Sequence, residues 1–125
     1  MSKLPNAPVI DEDRFEWEWA ADQDVLASLA GNGDRANILR MVDVSFVGSK
    51  ADLAPIEEDA ETLGFTIGQM VESDDGTWRL DLDIMQTVEP DAIKALTRKC
   101  LEIEATYPGV EYDGWGCVTQ TGSTH

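Results

Sequence analysis

The hydrophobic positions in the first third of the chain predict a helix and then a strand. Residues 25–29 carry apolar side chains at helical spacing, and the Gly-Asn-Gly sequence at 31–33 supplies a left-handed stop. We therefore predict a helix over about 20–30. Residues 36–47 are rich in Ile, Val, Leu, Met and Phe, a composition that is typical of a well-buried strand.

The next segment predicts a capped helix. Ser49 followed by Asp52 resembles a capping box in which Asp replaces Glu. Apolar residues at helical spacing then fall on one face of the helix, and Gly64 ends it. The residues of that face are Leu53, Ile56, Ala60 and Leu63.

A hairpin is predicted after this helix. Apolar residues alternate between Phe65 and Val71, with Gln69 interrupting the pattern. The Ser-Asp-Asp-Gly sequence at 73–76 is typical of a hairpin turn, because its Gly can adopt a positive φ. Four apolar residues then alternate with mostly polar ones, which predicts a strand with one buried face. These four residues are Trp78, Leu80, Leu82 and Ile84.

The last third of the chain predicts a helix and a closing strand. Pro90 suits the first position of a helix, where the backbone N–H that proline lacks has no partner in any case. An apolar stripe follows, Pro108-Gly109 ends the helix, and a strand is expected over about 110–119. The stripe consists of Ile93, Leu96, Cys100, Ile103 and Tyr107.

The resulting order is a helix followed by β-α-β-β-α-β. We therefore predict an α+β fold of the ferredoxin-like split β-α-β type, an antiparallel sheet with helices on one face, preceded by an N-terminal helix. A length of 125 residues is usual for one domain. We divide the chain into an acidic and aromatic N-terminal segment (1–19), a single ferredoxin-like domain (20–119) and a short polar tail (120–125).

The aromatic residues of the N-terminal segment leave two interpretations open. Phe15, Trp17 and Trp19 alternate with Glu16 and Glu18, which indicates an extended segment. Phe15 and Trp19 are also four residues apart, as on one face of a helix. The three aromatics either cover an edge of the core or, being flanked by acids, contact arginine side chains of a partner.

The charge of the chain is unusual. Twenty-five Asp and Glu residues face nine Lys and Arg residues, which gives a formal net charge of −16. Such a charge repels phosphate groups, so we expect no direct binding to nucleic acid or to an anionic membrane. A basic protein surface is the favoured partner, because complementary charge speeds encounter. The alternative interpretation is that the acidity only keeps the domain soluble, and the oligomeric state stays open.

The sequence also indicates where the protein acts. Residues 1–10 lack the apolar stretch of a secretory signal, and no run of 18 apolar residues occurs. The two cysteines, Cys100 and Cys117, lack the framework of a secreted disulfide-rich protein. We expect both to be reduced, buried thiols in a cytoplasmic protein.

The residues needed for most hydrolytic enzymes are missing. The one histidine is His125, the last residue, so no Ser-His or Cys-His pair is expected. Cys and His together are too few for a structural zinc site, and no Gly-rich phosphate loop precedes a helix. We expect no enzyme activity, no cofactor and no metal. An open alternative is a carboxylate site for Mg²⁺ or Ca²⁺ made by Asp43, Asp81 and Asp83.

Two short segments are candidates for protein binding. Acidic residues crowd the second predicted helix and form either a solvated face or a docking surface for Arg-rich segments; they are Glu57, Glu58, Asp59 and Glu61. The closing strand contains two glycines around a tryptophan, which indicates a bulge or a close approach of the backbone. Its residues are Glu111, Tyr112, Asp113, Gly114, Trp115 and Gly116.

The sequence of the closing strand resembles that of a known protein family. Residues 110–116 look like the last strand of the regulator of ribonuclease E activity B family. Leu63-Gly64-Phe65 resembles the Leu-Gly-aromatic step of that family, and residues 26–34 resemble its first helix and Gly-containing turn. The resemblance covers roughly residues 24–118.

The resemblance implies both a fold and a function. The fold would be ferredoxin-like, and the protein would be an inhibitor that binds endoribonuclease E and modulates RNA decay without being a nuclease. The alternative functions are a generic acidic interaction or small-ligand domain unrelated to RNA decay, and a carboxylate-based metal-binding domain. We expect partner binding by Tyr112, Asp113 and Trp115, steering by Glu57, Glu58 and Glu61, and structural roles for Gly114 and Gly116.

Overall fold

Seven elements follow one another in the computed structural model, which describes residues 9–120. After the first helix their order is β-α-β-β-α-β, as the sequence predicts. The fold is α+β, with three helices and a four-stranded antiparallel sheet. The elements are α1 (Glu12–Gly31), β1 (Arg40–Gly48), α2 (Lys50–Asp59), β2 (Thr66–Glu72), β3 (Trp78–Gln86), α3 (Pro90–Thr106) and β4 (Glu111–Cys117).

The strands lie in the order β2-β3-β1-β4, so β2 and β4 form the two edges of the sheet. Side chains alternate between a face that is covered by helices and a face that is open. The covered face carries the core residues Val42, Val44, Phe46, Leu80 and Leu82, which pack with Leu53 and Ile56 of α2 and Ile93, Leu96 and Cys100 of α3. The open face carries Asp43, Ser45, Asp81 and Asp83.

Helix α1 begins well before the predicted position near residue 20. Asp11 is its N-cap, and its side chain accepts hydrogen bonds from the backbone N–H groups of Asp13 and Arg14. Phe15 is buried in the core, so the helix is anchored from its first turn. Residues 15–19 are therefore helical, and the extended interpretation is wrong. Phe15 is buried and Trp19 packs against the core, whereas Trp17 points to solvent and is 77% exposed.

Strand β2 contains an irregularity that explains its broken pattern. The pairing with β3 shifts between Ile67 and Gln69, which is a β-bulge at Gly68. Before the bulge Ile67 lies opposite Leu82 on the covered side, and after it Gln69 lies opposite Asp81 on the open side. The interruption noted at Gln69 is therefore a change of register.

The remaining helices begin where the sequence predicts, but α2 ends earlier than the predicted stop at Gly64. The Ser49 side chain accepts a hydrogen bond from the N–H of Asp52 at 3.0 Å, as the capping box predicts. Helix α2 ends at Asp59, and turns lead from there to Gly64, whose φ is 95°. Pro90 occupies the start of α3.

Both cysteines have free thiols, as expected, but they differ in burial. Cys100 is fully buried in the core, and burial raises the pKa of its thiol. Cys117, at the end of β4, is only partly buried, so the prediction of two buried thiols is met by Cys100 alone. None of the helices between residues 9 and 120 is long and apolar enough to cross a membrane.

Candidate functional site

The predicted binding residues lie at opposite edges of the sheet. Glu57, Glu58 and Glu61 are at the end of α2 and just after it, beside β2, whereas residues 112–115 belong to β4. Three interstrand spacings separate these edges, which amounts to about 14 Å. The structure thus brings together the members of each group but does not join the two groups in one site.

The acidic group surrounds a small apolar surface. Glu57, Glu58 and Glu61 line a shallow depression together with Phe65 and Ile67, at the start of β2. None of the three glutamates forms an ion pair within residues 9–120. This surface can therefore attract a cation from outside the chain.

Most of the cations of the chain are already engaged elsewhere. Arginines pair with carboxylates at 2.6–3.1 Å: Arg14 with Glu18 and Glu104, Arg40 with Asp34, Arg79 with Asp81, and Arg98 with Glu12. Four cations also lie over aromatic rings: Lys50 over Trp78, Lys94 over Trp19, Arg98 over Phe15 and Lys99 over Phe65. These contacts cover aromatic surface and leave the excess negative charge on the outside.

Tyr112 is buried, and its backbone groups are held by two side chains. The ring packs in the core, with its centroid 5.7 Å from that of Phe46. Its N–H donates a hydrogen bond to Glu104 at 2.8 Å, and its carbonyl accepts one from Arg14 at 3.3 Å. Arg14 also pairs with Glu104 at 3.0 Å, so α1, α3 and β4 are tied together at this point.

Trp115 lies on the covered side of β4, opposite Val44, and is partly buried against the core. Its indole N–H donates a hydrogen bond of 2.9 Å to Asp22 on α1. Asp22 is itself buried and accepts a second hydrogen bond from the Thr97 hydroxyl on α3. Burial raises the pKa of Asp22 above its ordinary value, although both hydrogen bonds act in the opposite direction.

Asp113 and Gly114 form an irregular segment of β4. The pairing of β4 with β1 shifts between residues that face Val44 and Phe46, and Gly114 within this bulge has a φ of 106°. Only glycine adopts such a conformation readily. Asp113 is exposed there, while Gly116 lies opposite Asp43 in a regular part of the ladder.

The carboxylates of the open sheet face are brought together, as the metal-site alternative requires. Asp43 lies directly opposite Asp83, and burial together with the charges of Asp81 and Asp83 raises the pKa of Asp43. Asp81 is occupied, because it accepts hydrogen bonds from Gln69, Ser45 and Arg79 at 2.7–3.3 Å. Between residues 9 and 120 no three His, Cys, Asp or Glu side chains are arranged to hold a metal ion.

Sequence reasoning missed two buried carboxylates. Asp22 joins two helices and β4, as described above, and Asp34 forms a buried ion pair with Arg40 at 2.6 Å. Asp34 also accepts a hydrogen bond from the N–H of Gln120 at 2.6 Å. No local pattern distinguishes these two residues from the many exposed acids. The partners of Asp22 lie 75 and 93 residues away. Arg40 is only six residues from Asp34, but Gln120 is 86 residues away.

Comparison with known proteins identifies the family. The family model described as Regulator of ribonuclease activity B matches residues 19–117. The chain belongs to this family. The resemblance inferred from the closing strand is therefore confirmed, and the match runs from Trp19 in α1 to the last residue of β4.

A curated member of the Regulator of ribonuclease activity B family is also similar along nearly its whole length. The Regulator of ribonuclease activity B of Colwellia psychrerythraea is 27% identical over 116 residues, which cover 86% of this chain and 96% of the relative. Both candidate binding edges lie within the residues that the family model matches, whereas the exposed Trp17 precedes them.

Proposed function

We propose that this protein is a cytoplasmic inhibitor that binds a ribonuclease, with endoribonuclease E as the candidate, and thereby modulates RNA decay. The family match over residues 19–117 carries this proposal. In this role the protein acts by binding and performs no catalysis of its own. The partner surface that we expect is basic, because the net charge of the chain is −16.

Long-range attraction is the first step of the proposed mechanism. Exposed carboxylates that are not neutralised within the chain create a negative potential that steers a basic segment towards the protein. Glu57, Glu58 and Glu61 are the steering residues in this proposal, since they surround apolar surface and form no ion pair between residues 9 and 120. Attraction of this kind raises the association rate more than the final affinity.

The closing strand supplies the second group of proposed binding residues. Asp113 is the member that can contact a partner directly, because its side chain is exposed. Tyr112 and Trp115 contribute by holding β4 in place, since both side chains point towards the helices. Gly114 and Gly116 are the structural members of this group.

We further infer that the architecture is ferredoxin-like. The order β-α-β-β-α-β after α1 supports this inference, as does the antiparallel pairing of β1 with both β3 and β4. Superposition of an experimental structure on ferredoxin-like domains would test the inference.

The test of the proposed function uses purified protein and purified endoribonuclease E. We expect the protein to bind the enzyme and to slow its cleavage of RNA, with an affinity that weakens between low and physiological salt. The protein alone should leave the same RNA intact in the presence of Mg²⁺. Binding without any change in cleavage, or turnover of RNA by the protein alone that Asp81→Asn abolishes, would overturn the proposal.

A further inference from the structure

The two edges of the sheet differ in how their backbone groups are satisfied. At the β4 edge, Glu104 accepts the N–H of Tyr112 and Arg14 donates to its carbonyl. Both edge strands contain a bulge, at Gly114 in β4 and at Gly68 in β2, so a bulge does not distinguish the two edges. The difference is that at β4 these two side chains occupy backbone groups that could otherwise pair with another strand.

The β2 edge has no such capping. In the part of the chain that the structure describes, no side chain forms a hydrogen bond with the backbone of residues 66–72. Six of the seven residues of this strand are exposed. Between residues 9 and 120, β2 pairs with β3 and with no other strand, so the backbone N–H and C=O groups on its outer side are free to pair with an added strand.

The side chains beside this free edge determine which kind of strand could be added to it. On the helix side, Glu57, Glu58 and Glu61 stand beside the apolar side chain of Ile67, which is 50% exposed. On the open side, Val71 is exposed and the next strand carries Asp83. Side chains of an added strand alternate between the helix side and the open side of the sheet. On each side they would therefore meet acidic and apolar groups of this protein.

We propose that the free edge of β2 binds an extended basic segment of the partner by strand addition. Backbone hydrogen bonds to residues 66–72 provide the pairing, and lysine or arginine side chains on the helix side meet Glu57, Glu58 and Glu61. This inference rests on the proposed function and names the site and the chemistry through which the partner is held.

Charge disfavours a second copy of this chain at the same edge. Pairing of two β2 strands would place two sets of Glu57, Glu58 and Glu61 along one joined sheet. Each copy also carries a net charge of −16, so the encounter of two copies is repelled. The charge that attracts a basic segment therefore protects the edge from self-association.

Hydrogen exchange of the complex with endoribonuclease E tests the proposal. We expect amides of residues 66–72 to exchange about tenfold or more slowly in the complex than in the free protein. Amides of residues 111–117 should change little. Binding without protection of 66–72 would overturn the strand-addition proposal and leave the proposed function intact, whereas no binding would remove the proposed function itself.

A pair of substitutions separates strand addition from general charge attraction. Ile67→Arg places a positive charge at the free edge, and Met85→Arg makes the same charge change at a residue of β3 that is 58% exposed. We expect Ile67→Arg to weaken binding of endoribonuclease E about tenfold and Met85→Arg to change it less than about twofold. Equal effects of the two variants would overturn the proposal.

A peptide experiment tests the same edge without the enzyme. The probe is a synthetic peptide of alternating arginine and valine, and its control has proline in place of each valine. Both peptides carry the same charge, but proline cannot donate a backbone hydrogen bond. We expect only the first peptide to protect residues 66–72. Equal binding and equal protection by the two would show that charge alone is responsible, and protection of 66–72 in the free protein with a dimeric mass would show that a second copy occupies the edge.

Discussion

Trp115 of β4 and Asp22 of α1 are joined by a hydrogen bond of 2.9 Å, although they lie 93 residues apart in the sequence. The Thr97 hydroxyl of α3 donates to the other carboxylate oxygen of Asp22. A single buried side chain therefore ties the edge strand β4 to both helices that cover this end of the core. Packing of Trp115 against the helices is one of the two roles that the closing strand suggests, and its hydrogen-bond partner Asp22 is known only from the structure.

Removal of the Trp115 side chain should weaken the fold. We expect Trp115→Ala to lower the free energy of unfolding by about 3 kcal/mol, because it removes buried ring surface and leaves Asp22 without one of its donors. Trp17→Ala is the matched control, since Trp17 is 77% exposed, and it should change stability by less than about 0.5 kcal/mol. Denaturant titration of both variants checks the prediction. Equal losses in the two variants would contradict it.

The raised pKa of Asp22 predicts a pH effect with a definite sign. Burial raises the pKa in the folded state, so the stability linked to this carboxyl is fully present below its unfolded pKa and is lost as the pH rises through its folded pKa. The charge of Glu18 acts in the same direction. Asp22→Asn removes the titration and keeps a polar group between Thr97 and Trp115.

The measurement is the free energy of unfolding of the wild type and of Asp22→Asn, from below the unfolded pKa of Asp22 to above its folded pKa. We expect the stability of the variant to increase relative to that of the wild type as the pH rises. The other titrating groups are the same in both proteins, so their effects cancel when the two stabilities are subtracted. Asp22→Ala should instead be less stable by about 1–3 kcal/mol at neutral pH, since two donors lose their acceptor. A difference between the Asn variant and the wild type that does not vary with pH would contradict the prediction.

The buried pair of Asp34 and Arg40 should have the opposite pH dependence. Burial acts to raise the pKa of Asp34, but hydrogen bonds from Arg40 and from the N–H of Gln120 lower it below its ordinary value. Its contribution to stability is therefore present above the unfolded pKa and is lost as the pH falls through the folded pKa. Asp34→Ala should cost about 3–5 kcal/mol near neutral pH, because it leaves Arg40 buried without its counter-charge.

Thermal or denaturant unfolding of Asp34→Ala at several pH values checks this expectation. The deficit should be largest near neutral pH and should shrink in acid. Asp81→Ala is a useful comparison, because Asp81 is also buried and paired with an arginine, but the side chain of Arg79 is 42% exposed whereas that of Arg40 is buried. We expect Asp81→Ala to lose less free energy of unfolding than Asp34→Ala. A larger loss would show that the burial of the Asp34 and Arg40 pair does not explain the cost of Asp34→Ala.

The two glycines of the closing strand should respond differently to substitution. Gly114 has a φ of 106°, so Gly114→Val should cost about 1–3 kcal/mol through backbone strain. A Cβ atom at Gly116 would meet Asp43 at 3.5 Å, an ordinary contact, so Gly116→Ala should be tolerated. Unfolding curves of the two variants compare them, and a destabilised Gly116→Ala with a stable Gly114→Val would reverse the assignment.

Charge reversal at the end of α2 should slow association with endoribonuclease E. We expect the triple variant of Glu57, Glu58 and Glu61 to Lys to reduce the association rate far more than it raises the dissociation rate. The control is a triple reversal of exposed acids on α1, which changes the net charge equally at another place: Asp13, Glu16 and Asp24 to Lys. An unchanged association rate in the α2 variant would show that its acidity serves solubility alone.

Local sequence pattern determined the order and type of the elements. Helix periodicity, strand alternation, the Ser49 cap and the turn at 73–76 each involve residues only a few positions apart, so neighbours in sequence suffice to encode them. The net charge likewise required no structure, and it led to the expectation of a basic partner. The sequence of the closing strand led to the family that the comparison confirms.

The features that depend on residues distant in the chain were decided only by the tertiary structure. Docking of Phe15 in the core, beneath Arg98, extends α1 beyond the predicted start. The contacts of Asp22 with α3 and β4, and that of Asp34 with Gln120, form only when helices and strands assemble. Whether an edge strand is capped or free is decided in the same way. The hydrogen bonds and the burial of these residues are gained only on folding. The local periodicity of the sequence therefore does not predict which distant residues become their partners.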